Sequence, residues 1–277
     1  MIKFKDVIKK RDTMTVGPIS ASIPDGSLTL IAGKNSKGKS TILKLLSGII
    51  EMDSGSIIIN DKDLFTFLQN EGINYMPDQF PYYEKRNAPY MYSNWMKDVY
   101  PYYDKNLFRE YAKRFGVALN KPIIEMSKGE KKRTLLALTF ANTESLILLD
   151  EPSLNLDSNY RTILREVVQE KLLDETNTLI IASNNVEDFD TLADYLVYLK
   201  DGKVYFEGYT EDILDRYMLW SGTKETLPEQ TLNTWETEYT TQAIIDKTLY
   251  PKLELERLSL ADLLHNIERM KRYESLF

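Results

Sequence analysis

Short apolar runs alternate with helical stripes along the first two thirds of the chain. Apolar runs at residues 27–33, 145–150 and 178–183 predict buried strands, the first of which ends in a glycine turn. Apolar residues at helical spacing follow the first run, at Ile42, Leu45, Leu46, Ile49 and Ile50. A second helical stripe lies between the second and third runs, at Ile163, Leu164, Val167, Val168 and Leu172. Strands that alternate with helices predict an α/β fold with a mostly parallel core sheet covered on both faces.

Other segments depart from this alternation. Residues 54–61 predict a strand closed by a turn, and residues 195–208 place two β-rich runs around an Asp-Gly pair, which predicts a hairpin. An aromatic stretch with several prolines predicts a helical subdomain over about residues 80–140. We therefore expect one main domain over residues 1–215 and a C-terminal extension over residues 216–277 that is mostly helical.

The composition excludes several kinds of site. The chain has no cysteine, which excludes thiolate nucleophiles and Cys-ligated metals, and its single histidine, His265, argues against a His-based metal site or catalytic triad. With 35 Lys and Arg against 42 Asp and Glu, the net charge is −7, so we expect no nucleic-acid partner. No apolar run approaches the roughly 18 residues that span a bilayer, and the start lacks the apolar core of a secretory signal. We therefore expect a cytoplasmic protein.

The segment GKNSKGKST at residues 33–41 fits the pattern GxxxxGK[ST] and lies between a predicted strand and a predicted helix. Successive backbone N–H groups in such a loop bind phosphate, so we expect a nucleotide phosphate site here. Lys39 would reach the β- and γ-phosphates, and Ser40 would ligate Mg²⁺. The candidate phosphate-binding residues are Gly33, Lys34, Asn35, Ser36, Lys37, Gly38, Lys39, Ser40 and Thr41.

Two carboxylates follow the apolar run of LILLDEP at residues 146–152. In an open α/β sheet, the carboxyl end of such a strand lies beside the ligand crevice. Asp150 would hold Mg²⁺, and Glu151 would activate the attacking water as a general base. Alone, this pattern is more often a strand that ends in a solvated turn, but its pairing with the phosphate loop favours the catalytic interpretation.

These residues resemble the ATP-binding-cassette (ABC) ATPases, and the resemblance covers about residues 1–215. MSKGE at residues 126–130 stands where the family has its signature LSGGQ, and EPSLNLD at 151–157 is similar to its D-loop. The resemblance implies a cassette with a core sheet, an antiparallel β subdomain and a helical subdomain. It also implies two cassettes that sandwich two ATP molecules, so that Ser127 and Gly129 face the nucleotide of the partner. In isolation, Ser127 with Glu130 is more often an ordinary helix capping box, and both interpretations can hold together.

The chain departs from the family pattern at several positions. Asp78 stands where the family has the glutamine that senses the γ-phosphate, and Gln79 follows one residue later. Asn185 is placed at the switch histidine and is unable to become a cation. Lys10 is aligned with the aromatic residue that usually stacks on adenine.

Two further clusters each have two interpretations. The aromatic residues after the Asp78 segment form either a docking surface for a membrane protein or the core of the helical subdomain, and they include Tyr82, Tyr83, Tyr90, Tyr92 and Trp95. A basic run either steers phosphate or forms a solvated helix face, at Lys128, Lys131, Lys132 and Arg133.

The resemblance implies the ATPase subunit of a bacterial ABC transporter, bound to the cytoplasmic face of the membrane through a separate permease. Its partners would be a second cassette, identical or paralogous, and that integral membrane permease. The signature variant is more similar to exporters of peptides, antibiotics or lipophilic toxins than to importers. The alternatives are a soluble ABC ATPase of translation or DNA maintenance, and a cassette that uses ATP as a dimerisation switch with very low turnover.

Overall fold

The computed structural model describes residues 1–11, 14–33, 38–80 and 87–268. Four predicted phosphate-loop residues lie outside the described residues: Lys34, Asn35, Ser36 and Lys37. The strands are β1 (Ile2–Arg11), β2 (Met14–Ile23), β3 (Leu28–Ala32), β4 (Ser54–Ile59), β5 (Lys62–Asp63), β6 (Asn74–Met76), β7 (Leu146–Asp150), β8 (Thr178–Ala182), β9 (Tyr195–Lys200), β10 (Lys203–Tyr209), β11 (Tyr217–Gly222), β12 (Asn233–Glu236) and β13 (Thr241–Asp246). The helices are α1 (Lys39–Leu46), α2 (Leu64–Asn70), α3 (Pro89–Val99), α4 (Lys105–Arg114), α5 (Lys128–Phe140), α6 (Ser158–Leu172), α7 (Thr210–Arg216) and α8 (Leu260–Glu268).

Six strands form the central sheet in the order β10-β9-β3-β8-β7-β6. Strand β3 pairs in parallel with β8 and β9, and β7 pairs in parallel with β8 and β6, whereas β10 runs antiparallel to β9. Every residue of β3, β7 and β8 is buried, as expected for strands covered on both faces. The predicted α/β fold with a mostly parallel core sheet is confirmed, and so is the predicted hairpin, formed by β9 and β10.

The antiparallel subdomain is a four-stranded sheet in the order β2-β1-β4-β5. Helix α1 packs in one hydrophobic cluster with residues of this sheet and of the central sheet. Ile42, Leu45 and Leu46 of the predicted stripe are buried, but Ile49 lies beyond the helix end and is exposed. Gly48 has a φ of +70°, a left-handed conformation that ends the helix before the last turn of the predicted stripe.

The helical subdomain contains α3, α4 and α5, and it confirms the predicted helical region. Residues Thr134–Phe140 of α5 are all buried, and the rings of Phe115 and Phe140 stack at 6.3 Å. The aromatic residues of this region divide between buried and exposed positions, and a docking role for the exposed ones stays a prediction. Tyr92 is buried, whereas Tyr90 and Trp95 are exposed. Tyr82 and Tyr83 lie outside the described residues.

The C-terminal extension differs from the mostly helical prediction. Strands β11, β12 and β13 form a three-stranded antiparallel sheet in the order β11-β13-β12, and α8 is the helix of this region that packs beside β13. Trp220 of β11 pairs with Ala243 of β13, and both side chains are buried. The sheet forms because aromatic and β-branched residues in three separated segments pack together. The pattern within any one of these segments does not predict this pairing. The boundary at residue 215 stays a prediction.

Candidate active site

The phosphate loop leaves the carboxyl end of β3 at Gly33 and enters α1 at Lys39. Gly33 has a φ of +145°, and a Cβ at this position would lie 2.2 Å from the carbonyl oxygen of Leu199, so only glycine fits. Gly38, just before the helix, has a φ of +124°. The loop therefore depends on glycine at both ends, and it leads into a helix N-terminus whose N–H groups and dipole favour an anion.

The ammonium of Lys39 is buried at the base of the loop. Its Nζ donates to the carbonyl oxygen of Gly33 at 2.7 Å and to Oδ1 of Asn184 at 2.7 Å. The side chain is 2% exposed. These contacts fix a positive charge beside Gly33, where a bound phosphate would meet it.

Ser40 and Asp150 meet where α1 begins and β7 ends. The Ser40 hydroxyl donates to Oδ1 of Asp150 at 2.8 Å. The Tyr75 hydroxyl lies 3.5 Å from Oδ2 of the same carboxylate. Burial raises the pKa of Asp150 above its ordinary value, and the hydrogen bond from Ser40 opposes that shift. A hydroxyl and a carboxylate are the oxygen donors that Mg²⁺ prefers, so this pair fits the metal predicted from the sequence.

Glu151 follows directly after β7, with a φ of +48° that is uncommon for a residue with a side chain. Its Oε1 accepts from Nδ2 of Asn184 at 2.6 Å, and its Oε2 accepts from the backbone N–H of Asn184 at 3.1 Å. Burial raises the pKa of Glu151, while the Asn184 N–H and the charge of Lys39 act in the opposite direction. A carboxylate with a raised pKa is a stronger base, which suits proton abstraction from water.

The structure places Asn184, and not the predicted Asn185, between Lys39 and Glu151. The Nδ2 of Asn185 donates to Oδ2 of Asp188 at 2.6 Å instead. Asn184 is therefore a functional candidate that sequence reasoning missed. The two adjacent asparagines are chemically identical. In the sequence they differ only in the number of residues that separate them from the end of β8.

Asp78 forms an ion pair with Lys132, which in the sequence is only one member of a basic run. The Nζ of Lys132 donates to the backbone oxygen of Asp78 at 2.8 Å and to its Oδ1 at 3.2 Å. Gln79 is near the same carboxylate, with its Nε2 3.5 Å from Oδ2. The predicted basic run is thus not one solvated face, because Lys132 is buried and the guanidinium of Arg133 lies over the Tyr160 ring at 4.1 Å.

Ser127 caps the N-terminus of α5, as its alternative interpretation predicted. Its hydroxyl accepts from the Glu130 N–H at 3.2 Å, and Glu130 accepts in return from the Ser127 N–H at 2.7 Å. The Ser127 N–H and then the ammonium of Lys121 lower the pKa of Glu130 to about 2. A Cβ on Gly129 would lie 2.9 Å from the Asn155 carbonyl oxygen, so this helix end packs against the loop after β7. The roles of Ser127 and Gly129 toward a partner's nucleotide stay predictions.

The side chain of Arg11, and not that of Lys10, contacts the start of α1. The Arg11 Nη1 donates to the hydroxyl of Thr41 at 3.2 Å, whereas the backbone N–H of Lys10 donates to Asp53 at 2.5 Å. The exposed end of β1 therefore brings a guanidinium close to the phosphate-loop helix. A role for Lys10 in place of the adenine-stacking aromatic residue stays a prediction.

Known proteins that are similar to this chain are ATP-binding proteins of transport systems. The family model for ABC transporters matches residues 16–154. The ABC transporter ATP-binding protein YtrB of Bacillus subtilis is 29% identical over 209 residues, which cover 74% of this chain and 70% of that protein. The lantibiotic transport ATP-binding protein SrtF of Streptococcus pyogenes is 28% identical over 211 residues, which cover 75% of this chain and 90% of that protein.

A solved structure shows the same fold. The dimeric, post-hydrolysis ATP-binding cassette MJ0796 bound to ADP and Pi superposes with a TM-score of 0.65 and 21% identity, covering 76% of this chain and 99% of that chain. The family match, the phosphate loop and the carboxylates at the end of β7 lead to one conclusion. The chain belongs to the ABC transporter family and is an ATP-binding subunit of that family that hydrolyses ATP.

Proposed function

We propose that this chain is the ATPase subunit of a bacterial ABC exporter. It binds Mg-ATP at a head-to-tail dimer of cassettes and hydrolyses it to drive export through a separate membrane permease. One observation carries the catalytic part of the proposal. The Ser40–Asp150 pair and the contacts that join Lys39, Asn184 and Glu151 lie at the same carboxyl edge of the central sheet.

Each of these residues has a distinct task at the phosphates. Ser40 and Asp150 would hold Mg²⁺, which supplies positive charge against the β- and γ-phosphates. Lys39 exchanges its bond to the Gly33 carbonyl for bonds to phosphate oxygens, because an anion is the better partner for its ammonium. The N–H groups at the start of α1 bind the same phosphates from the other side.

Glu151 acts on the attacking water. Its carboxylate accepts the water proton while the water oxygen attacks the γ-phosphorus and ADP leaves. Asn184 donates to both carboxylate oxygens and so fixes the orientation of the base. Each carboxylate oxygen retains a second lone pair, so these bonds leave room for the water.

The substitution Glu151→Gln tests this assignment. It retains the size of the side chain and removes the base, so hydrolysis should fall by about 10²-fold or more while ATP binding is unchanged. Glu144→Gln is the matched control, because Glu144 is also a glutamate whose pKa burial raises, but it precedes β7 at the opposite end of the strand. Hydrolysis by Glu151→Gln within a few-fold of the wild type would remove Glu151 from the mechanism.

The dimer proposal is supported by the N-terminus of α5, which Ser127 caps and where Gly129 packs against the loop that contains Asn155. A capped helix end is a favourable position for the γ-phosphate of a partner's nucleotide. Light scattering on Glu151→Gln should give twice the monomer mass with Mg-ATP and the monomer mass with Mg-ADP. A monomer in both conditions would contradict the head-to-tail dimer.

The export proposal rests on the similarity to SrtF, which is named for lantibiotic transport. Among the residues that the structure describes, no helix combines the length and apolar character required to cross a bilayer. We propose that a permease supplies the path through the membrane and that this chain binds its cytoplasmic face. In vesicles that contain the permease, with the chain on the outside, ATP should drive a labelled amphipathic peptide into the lumen. ATP-driven release of preloaded peptide would reverse the proposed direction.

A second candidate is an ATP-dependent dimerisation switch with very low turnover. The observation that favours it is Asn184, because the residue between Lys39 and Glu151 is an amide that is unable to take up a proton. Turnover distinguishes the two. An exporter subunit should increase its hydrolysis when permease and peptide are both present, whereas a switch should dimerise with ATP and show no such increase.

A further inference from the structure

Lys132 is a buried cation that the catalytic scheme does not use. Its side chain is 3% exposed, and its ammonium donates to both the backbone oxygen and the carboxylate of Asp78. Burial lowers the pKa of Lys132, and the negative charges of Asp78, Asp150 and Glu151 oppose that shift. A lysine is rarely fully buried unless it is paired, so the burial of Lys132 depends on its ion pair with Asp78.

The pair joins two parts of the fold that are distant in sequence. Asp78 follows β6 at the carboxyl edge of the central sheet, and Lys132 lies in the second turn of α5, 54 residues later. Both charges lie near the hydrolysis site, because β6 pairs in parallel with β7, with Met76 beside Leu149, so Asp78 follows β6 at the edge where Asp150 ends β7. The two charges have opposite effects on the pKa of Asp150. Asp78 also adds to the negative charge around Glu151. Lys39 enters this region from α1, where it contacts Asn184, and Lys132 enters it from α5, where it contacts Asp78.

We propose that Lys132 and Asp78 are positioning residues with opposite effects, which together set the preference of the site for ATP over ADP. The ammonium of Lys132 attracts the γ-phosphate, and it holds the Asp78 carboxylate, which repels that phosphate, in a fixed place. This inference rests on the proposed location of the γ-phosphate beside Glu151. It applies to the γ-phosphate more than to the α- and β-phosphates, because those bind at the phosphate loop.

The test compares the affinities of the purified chain for a β,γ-imido analogue of ATP and for ADP, both with Mg²⁺. Asp78→Asn removes the negative charge but retains an oxygen that can accept from Lys132, so the ratio of analogue affinity to ADP affinity should rise by about tenfold. Lys132→Gln removes the positive charge, so the ratio should fall by about tenfold. The double variant should return toward the wild-type ratio.

Arg114→Gln is the control, because Arg114 forms an ion pair with Glu170 between α4 and α6, away from the site, and the ratio should not change. A purely structural pair would behave differently from the proposed one. Both single variants would then lose melting temperature without opposite shifts of the ratio, and that result would overturn the inference. If Lys132→Gln does not fold, Asp78→Asn decides alone, since a rise supports the inference and an unchanged or lower ratio overturns it.

A failure of this inference can be distinguished from a failure of the proposed function. If Glu151→Gln retains hydrolysis, the proposed location of the γ-phosphate fails, whatever the ratios are. If Glu151→Gln abolishes hydrolysis and the ratios of the two single variants move together, the catalytic site stands and only the role of Lys132 and Asp78 is overturned.

Discussion

Replacing Asn184 by alanine distinguishes between two assignments. The structure places Asn184 beside Glu151, whereas the sequence predicts Asn185 at the switch position. The change removes the bond from Nδ2 to Glu151, at 2.6 Å, and the bond that Oδ1 accepts from Lys39, at 2.7 Å. The backbone N–H bond from residue 184 to Glu151 remains. The proposed catalytic base, Glu151, is therefore still present, but one of the two contacts that orient it is lost.

The size of the effect follows from the charge of the partner. A hydrogen bond to a charged group contributes about 1.5–3 kcal/mol, and 1.4 kcal/mol is tenfold in rate, so we expect kcat to fall by about 10- to 100-fold. The bond to Lys39 should contribute little to this loss, because in the proposed complex Lys39 would bind phosphate instead. Asn184 is exposed in the isolated chain, so the free energy of unfolding should change by less than about 1 kcal/mol.

Asn185→Ala is the matched control, since the same amide is removed one residue later. Its side chain bonds to Asp188 and not to Glu151, so hydrolysis should stay within a few-fold of the wild type. Steady-state phosphate release at saturating Mg-ATP gives kcat, and nucleotide titration checks that binding is retained. A loss in Asn185→Ala that equals or exceeds the loss in Asn184→Ala would refute the structural assignment.

Three further results are expected. Glu130→Gln should lower the melting temperature at pH 7, and because the folded-state pKa of Glu130 is lowered from 4.5 to about 2, this difference should disappear as the pH falls through that window. Gly33→Ala should prevent folding or ATP binding, since the new Cβ meets a main-chain oxygen of β9 at 2.2 Å, whereas Gly208→Ala meets only side-chain atoms at 3.6 Å and should melt normally. Trp95→Ala should weaken co-purification with the permease and spare basal hydrolysis, whereas Tyr92→Ala should destabilise the chain by about 3–5 kcal/mol, as judged by urea denaturation. Equal effects of the last two variants would contradict the division of the aromatic residues between surface and core.

Some features of the protein follow from contiguous residues. Three features are adjacent in the chain: the apolar run of β3, the glycine at its end and the apolar stripe of α1. Their order alone predicts a strand, a phosphate loop and a helix. The same holds for β7 and the two carboxylates after it. In a parallel sheet, the carboxyl ends of neighbouring strands lie at one edge, so the meeting of Ser40 and Asp150 was predictable in outline.

Other features were decided by contacts between distant segments. Lys132 appears in the sequence as one member of a basic run, and its burial depends on Asp78 from another element. Tyr92 and Trp95 belong to one helix and one aromatic stretch, yet packing buries the first and leaves the second exposed. The sheet of the C-terminal extension forms only when β13 pairs with β11 and β12 on its two sides.

The choice between Asn184 and Asn185 has the same physical origin. Consecutive side chains after a strand point in different directions, so a shift of one residue exchanges a contact with Glu151 for a contact with Asp188. Local sequence specifies which residue types are available and how they are spaced along one element. The tertiary structure decides which of them face each other, because burial and pairing depend on chain segments that approach from elsewhere in the fold.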